Sequence, residues 1–310
     1  MRILLLGTAD FACPSLEALL ASPYQIIGLV TQPDRPRGRG RKLTPSPLKS
    51  LAVSKDIPVY QPEKVRDPAS LETLSSLRPD LFVVVAYGQI LSPSVLSIPP
   101  RGSVNVHGSL LPKYRGAAPI ARAILAGETR TGVTTMFLDA GMDTGPILLM
   151  EETEIGVEDT TATLHDRLSR LGADLLLRTL EGIEKNTITP APQDHTKATM
   201  APKITKEEGR IDWRKPAREL FNLLRAFDPW PGAYTSWERQ ILKLFRPALD
   251  ERKTQEIPGT LVQASPDGLR IATSQGSLIV REIQLESRPR MRVNEFLSGY
   301  PLRAGARLGD

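Results

Sequence analysis

Unbroken apolar runs dominate the first half of the chain. They occur at residues 3–6, ending on Gly7, at 26–30, and most strongly at 81–86 (LFVVVA). Runs without polar alternation suit strands covered on both faces, as in a parallel sheet. Residues 103–107 and 133–138 read as further strands. Between the runs the period changes. Residues 14–20 carry leucines at helical spacing, residues 120–126 form a helix opened by Pro119, and residues 160–184 form a long amphipathic helix. Its apolar stripe is Leu164, Leu168, Leu171, Leu175, Leu176 and Leu180. This βαβ rhythm predicts an α/β fold built on an open, doubly wound sheet.

Beyond Asn186 the texture changes. Residues 187–202 hold three prolines among many polar residues and read as a connector. A short helix is predicted at 217–226. Short strands follow at 234–237, 241–245, 259–263, 269–273 and 277–283, divided by Gly, Pro, Asp and Asn turns. That spacing fits a small barrel or sandwich. The expected division is residues 1–188 as the first domain, 189–206 as a linker and 207–310 as the second domain.

Composition narrows the class. A chain of 310 residues has room for two cores. No apolar run approaches the roughly 18 residues of a membrane span. The apolar run after Met1 is too short for a secretory signal, and Asp10 arrives too early. Cys13 is the single cysteine, which excludes internal disulfides and multi-cysteine metal sites. It reads as a small buried residue at the start of the first helix. These features predict a cytoplasmic protein. The formal net charge of +5 is modest, so its distribution matters more than its sum. Arg35, Arg37, Arg39, Arg41 and Lys42 crowd into one glycine-rich segment with no acid among them. Such a run is either a solvated loop or a phosphate-binding loop, because guanidinium groups match phosphate oxygens and glycine lets the backbone approach. The later arginines 288, 290, 292, 303 and 307 are scattered among acids and give a weaker signal.

Ligands of open α/β sheets bind beyond the carboxyl ends of the strands. Gly7, Gly88, residues 105–109 and the turn around Asp143 all fall at such ends. The segment after Gly7 lacks the second and third glycines of a dinucleotide fingerprint, and no P-loop is present. Asn105 and His107 lie two apart on a predicted strand and so share one face. Asp143 lies in a glycine-flanked turn, Asp139-Ala140-Gly141-Met142-Asp143-Thr144-Gly145. A lone histidine is often a satisfied structural residue, and an aspartate beside glycine is often a turn former. Together, however, an amide, an imidazole and a carboxylate can run acyl-transfer chemistry without metal or thiol. His165 and His195 have no such flanks and read as structural or surface residues. Residues 228–233 read as a rigid turn.

Asn105-Val106-His107-Gly108-Ser109-Leu110-Leu111-Pro112 resembles the folate-dependent formyltransferases. So do Tyr114-Arg115-Gly116-Ala117-Ala118-Pro119-Ile120, Asp143-Thr144-Gly145, Val84-Val85-Ala86-Tyr87-Gly88 and Pro229-Trp230-Pro231. The likeness covers nearly the whole chain. The basic segment and Lys206-Glu207-Glu208-Gly209-Arg210-Ile211-Asp212-Trp213 favour the branch of that family acting on charged tRNA. The resemblance implies a Rossmann-like formyltransferase domain with a mostly parallel sheet, followed by a small C-terminal β-barrel related to OB-folds. It implies 10-formyltetrahydrofolate as formyl donor, with no metal, and the α-amino group of methionine on initiator tRNA as acceptor. It maps catalysis onto Asn105, His107 and Asp143, folate contacts onto Ser109, Leu110, Leu111 and Pro112, and tRNA contacts onto Arg35, Arg37, Arg39, Arg41 and Lys42. A monomer with no membrane association is expected. The same core also serves formyltransferases of amino-sugar nucleotides and of glycinamide ribonucleotide. The basic segment argues against both, and the second domain argues further against the ribonucleotide enzyme. A reading from another class, a nucleic-acid-binding protein on a catalytically dead scaffold, is opposed by the intact polar triple.

Overall fold

The computed structural model describes residues 1–37, 42–250, 252 and 254–309. The chain divides into two compact units. The first holds Met1–Pro119, Arg130–Glu154 and His165–Ala201; the second holds Ile120–Thr129, Ile155–Leu164 and the chain from Pro202 onward.

In the first unit the strands and helices follow in the order β1 (Arg2–Gly7), α1 (Cys13–Leu20), β2 (Gln25–Val30), β3 (Arg35–Arg37), β4 (Lys42–Thr44), α2 (Pro47–Ser54), β5 (Val59–Tyr60), α3 (Pro68–Ser76), β6 (Leu81–Val85), α4 (Pro93–Leu96) and β7 (Ser103–His107). The chain then passes through α5 (Pro119–Leu125), which after its first residue belongs to the second unit, and returns to the first with β8 (Arg130–Phe137), β9 (Ile147–Glu154) and α6 (Thr161–Glu184) from His165 onward. Four of these helices, α2, α3, α4 and α5, start on proline. Its missing N–H and fixed φ suit the first helical position. Ser46 adds a cap to α2, accepting from Lys49 N at 3.1 Å.

The seven-stranded sheet has the order β5-β2-β1-β6-β7-β8-β9. It is parallel from β5 through β7, and β8 and β9 then join antiparallel. Ile3, Leu4, Leu5, Leu6, Leu81 and Val83 are fully buried, as expected of strands covered on both faces. Leu4, Leu6, Phe82 and Val84 pack against Leu74, Tyr87, Leu91 and Val95. On α6, Gly172 lies so close to Val106 and Val133 that an added Cβ would stand 2.8 Å from the Val106 methyl. Strand β9 is one that the hydrophobic pattern does not predict. Its apolar first half, residues 147–150, gives way to an acidic second half, residues 151–154, along a sheet edge, where charge discourages pairing with other chains. Cys13, expected to be buried, is partly exposed.

The second unit contains α7 (Ala217–Ala226), β10 (Ala233–Trp237), β11 (Gln240–Asp250), β12 (Leu261–Ser265), β13 (Gly268–Ala272), β14 (Ser277–Leu285), β15 (Met291–Arg292) and α8 (Val293–Gly299). Its sheet is antiparallel, in the order β10-β11-β14-β13-β12 with β15 on β14, and is consistent with a small barrel. Leu220, Phe221 and Leu224 of α7 and Phe296 of α8 close its core with Trp213, Trp237, Leu242 and Leu244. Arg225 is buried and gathers carbonyls, donating to Gly156 O at 3.0 Å and Asp159 O at 3.2 Å. Arg290, one of the scattered arginines, pairs with Asp228 and Glu282 over the Phe245 ring. Among the described residues no helix is long and apolar enough to cross a membrane.

His165 does more than cover a helix face. Its Nε2 stands 3.4 Å from Asp10 Oδ1, its Nδ1 stands 3.3 Å from Asp166 Oδ1, and its ring meets Phe11 edge-on. The hydrogen bond to Asp10 raises the imidazole above its ordinary pKa, against the opposing pull of burial. A raised folded pKa stabilises fully below the unfolded value of about 6.5 and is lost as pH climbs through the folded value. His165→Gln is therefore expected to lower Tm more at pH 5.5 than at pH 9, by at most about 1 kcal/mol because Asp10 is exposed. Thermal melts across pH check this, and a deficit independent of pH would remove the ionic origin.

Candidate active site

Strand β7 sets the first two side chains. Asn105 pairs with Val84 on one side and Met136 on the other, and His107 pairs with Thr134. Period-two alternation puts both on one face, and both are buried. Among the described residues the Asn105 amide has no side-chain hydrogen-bond partner, so its N–H groups stay available.

His107 Nε2 lies 2.9 Å from the backbone oxygen of Tyr114. A carbonyl only accepts, so Nε2 carries the proton that makes this bond. The other ring nitrogen, Nδ1, faces Asp143 Oδ2 at 3.6 Å. That separation exceeds a hydrogen bond. It leaves a charged oxygen and a ring nitrogen opposed across a narrow gap.

Asp143 arrives on the turn between β8 and β9. Its backbone is left-handed, with φ of +53°. Asp139 builds the turn by accepting from Gly141 N at 2.9 Å and Thr144 Oγ1 at 2.6 Å. Gly145 closes it so tightly that a Cβ there would sit 1.9 Å from Phe137 O. Asp143 Oδ2 also accepts from Gly116 N at 2.8 Å.

The segment after β7 is fixed from within. Ser109 Oγ donates to Lys113 O at 2.7 Å, and Thr134 Oγ1 donates to Ser109 O while accepting from Leu111 N. The Leu111–Pro112 peptide is cis. Of the four residues expected to meet folate, Ser109 and Leu111 are buried, while Leu110 and Pro112 are partly exposed.

The supposed connector also belongs here. Met200 bridges Arg115 in parallel fashion, with Arg115 N donating to Thr199 O and Ala201 N to Arg115 O. Gln193 is buried and donates through Nε2 to Asp143 O at 2.9 Å and Gly145 O at 2.8 Å. Its Oε1 accepts from Arg115 Nε at 3.1 Å and Nη2 at 2.6 Å. His195, expected to lack a site role, accepts from the same guanidinium at Nδ1. Sequence reading missed Arg115 and Gln193; a glutamine in a polar stretch carries no local signal.

The basic segment forms the arms of a hairpin, β3 against β4, with Arg37 opposite Lys42. Asp34 anchors its base by accepting from Lys49 Nζ at 2.6 Å and Gln61 Nε2 at 3.0 Å. Arg35 is exposed and donates to Gln32 Oε1. Arg39 and Arg41 lie outside the described residues. Among the described residues no group of three or more His, Cys, Asp and Glu is placed to hold a metal ion.

A family model described as formyl transferase matches residues 1–180, and one described as formyl transferase, C-terminal domain, matches residues 203–301. A methionyl-tRNA formyltransferase of Alkaliphilus oremlandii is 46% identical over 310 residues, covering 100% of both chains. One from Desulfotalea psychrophila is 50% identical, covering 98% of this chain and 94% of its own. Among solved structures, an N-formyltransferase from Helicobacter canadensis in complex with folinic acid and dTDP-3-aminofucose superimposes with a TM-score of 0.67. It is 22% identical and covers 90% of this chain and 97% of its own.

Gly145→Ala is expected to lower Tm by several degrees, since forcing a Cβ into packed backbone typically costs about 1–3 kcal/mol. Gly299→Ala, whose Cβ would meet nothing within 4 Å on helix α8, serves as the control and is expected to hold Tm or raise it slightly, since alanine loses less backbone entropy in a helix. Thermal denaturation of the two variants checks both.

Proposed function

The chain belongs to the formyl transferase family, and we propose that it carries the formyl group of 10-formyltetrahydrofolate to the α-amino group of methionine on initiator tRNA. The relatives named above, matched end to end, support the acceptor. The observation that carries the chemistry is the opposition of His107 Nδ1 and Asp143 Oδ2 beside the Asn105 amide. We place the reaction in the cytoplasm, where charged initiator tRNA is used, and assign it to a single chain.

The acceptor amine attacks while neutral. An α-amino group has a pKa of about 7.7–8.0, so much of it is neutral near pH 7.5. Its nitrogen bonds to the formyl carbon and the carbonyl electron pair moves onto oxygen. The Asn105 amide donates to that oxygen. The Nε2 proton of His107 is already committed to Tyr114, so a donation from this ring comes from Nδ1–H of the protonated imidazole, whose charge Asp143 opposes. Asp143 keeps Oδ2 on Gly116 N–H, and its Oδ1 accepts the proton shed by the amine. Collapse breaks the bond from carbon to the folate nitrogen, which leaves with that proton. Leu110 and Pro112 border the folate, and the basic residues Arg35, Arg37, Arg39, Arg41 and Lys42 meet RNA phosphates.

Transfer of labelled formyl from the folate to methionine-charged initiator tRNA tests the activity, with a dTDP-linked amino sugar as the competing acceptor. Transfer to the sugar alone would overturn the proposal. His107→Ala is expected to lower kcat by about 10²–10³ with tRNA affinity nearly unchanged; turnover within a few-fold of wild type would remove His107 from the reaction. Replacing Arg39, Arg41 and Lys42 by Gln is expected to weaken tRNA binding and to reduce the salt slope by roughly 1 per lost phosphate contact. Binding titrations at several salt concentrations check this, and an unchanged slope would take the hairpin out of the interface.

A further inference from the structure

We propose that Gln193 is a positioning residue for formyl transfer, its carboxamide clamping the Asp143 turn in the shape the reaction needs. The inference rests on the catalytic reading of Asp143.

Both amide hydrogens of Gln193 go to one turn, to the carbonyls of Asp143 and Gly145. Its oxygen takes two donations from Arg115. Two donors and two lone pairs are all that a carboxamide has, so the group is saturated and its orientation is unambiguous. Arg115 and Gln193 are each 6% exposed, so this network is shut away from water. Among the described residues the guanidinium makes no ion pair; it is met by Gln193 Oε1 and His195 Nδ1. A cation on the oxygen side of an amide polarises it and strengthens donation from the nitrogen side. The turn so held is strained, because Asp143 is a non-glycine residue in the left-handed region. Its carboxylate must nevertheless reach Gly116 N and face His107 Nδ1. Gln193 touches none of the reacting groups. It acts by fixing the carbonyls on either side of Thr144 and so fixing the direction of the Asp143 side chain.

Glutamate at this position keeps the length and pairs with Arg115, yet it cannot donate, and it sets oxygen against Asp143 O and Gly145 O. Gln193→Glu is expected to lower kcat about 10–100-fold with KM for charged tRNA within about twofold. In an Asp143→Asn background the same change is expected to cost less than about threefold, because the residue it positions is already disabled. A full additional loss in that background would overturn the proposal. If Gln193→Glu does not fold, Gln193→Met, of similar length and without a donor, enters the same cycle. A second readout is independent of turnover. The Gly116 amide is expected to exchange with solvent about tenfold faster in the folded variants, since Asp143 no longer stays on it. Unchanged exchange would overturn the clamp. A wild-type chain that clamps Gly116 but transfers no formyl would instead sink the function, leaving the two failures distinct.

Discussion

The backbone carbonyl of Tyr114 can only accept, and it lies 2.9 Å from one nitrogen of His107. That contact assigns the tautomer of the neutral ring. It also decides which nitrogen is left for chemistry, because the other one looks across 3.6 Å at Asp143. Were the carbonyl turned away, either nitrogen could hold the proton and the ring would have no fixed sense. The carbonyl is not held cheaply. Tyr114 has φ of +61° and Gly116 has φ of +120°, so the segment between β7 and α5 runs through backbone regions that side chains avoid. Residues 199–201 hold it in place by pairing with Arg115, and the close approach of Ala201 O leaves no space for a Cβ on Gly116.

Arg115 raises a question of energetics, since a buried cation is expensive without a partner. A carboxylate in place of Gln193 would answer it more strongly at that point. It would also bring a second negative charge toward Asp143 and present no donor to the two turn carbonyls. A carboxamide is the side chain that offers an acceptor at one end and two donors at the other, which is what a cation on one side and carbonyls on the other require. The site thus keeps one carboxylate, Asp143, as the negative charge facing the imidazole, and uses neutral groups to hold it.

Much of this was legible in the sequence, and the reasons are physical. Strands buried on both faces cannot hide their polarity pattern, so the runs at 3–6 and 81–86 announce the sheet. A period of two is enough to place Asn105 and His107 on one face. Strand direction is another matter. Nothing in the composition of β8 says that it runs antiparallel to β7, because direction is set by the connection and not by the face. Strand β9 runs from four apolar residues straight into Glu151, Glu152, Thr153 and Glu154, so no period of two marks it as a strand and its alternating exposure appears only beside its partner. The basic segment was visible as charge, but its pairing as a hairpin depends on backbone bonds between Arg35 and Thr44 that its side chains do not encode.

The stretch from 187 to 202 shows where the inference from composition fails. Prolines and polar side chains without periodicity usually mean that a segment has no apolar face to bury, and hence no fixed place. That holds where burial of apolar area is what orders a chain. Here the ordering comes from polar groups. Gln193 bonds to Arg115, Asp143 and Gly145, Thr199 accepts from Tyr114 N through its hydroxyl, and Ala191 exchanges two backbone bonds with Ile147. Each bond is modest by itself, about 0.5–1.5 kcal/mol net. Leaving its partner unmatched in a buried site costs more, so each bond is enforced by the carbonyl or amide it satisfies. A segment recruited in this way needs polar residues for the same reason that a core strand needs apolar ones. Its signature lies in the unsatisfied groups of the loop it covers, far away in sequence, and becomes visible only when that loop is folded.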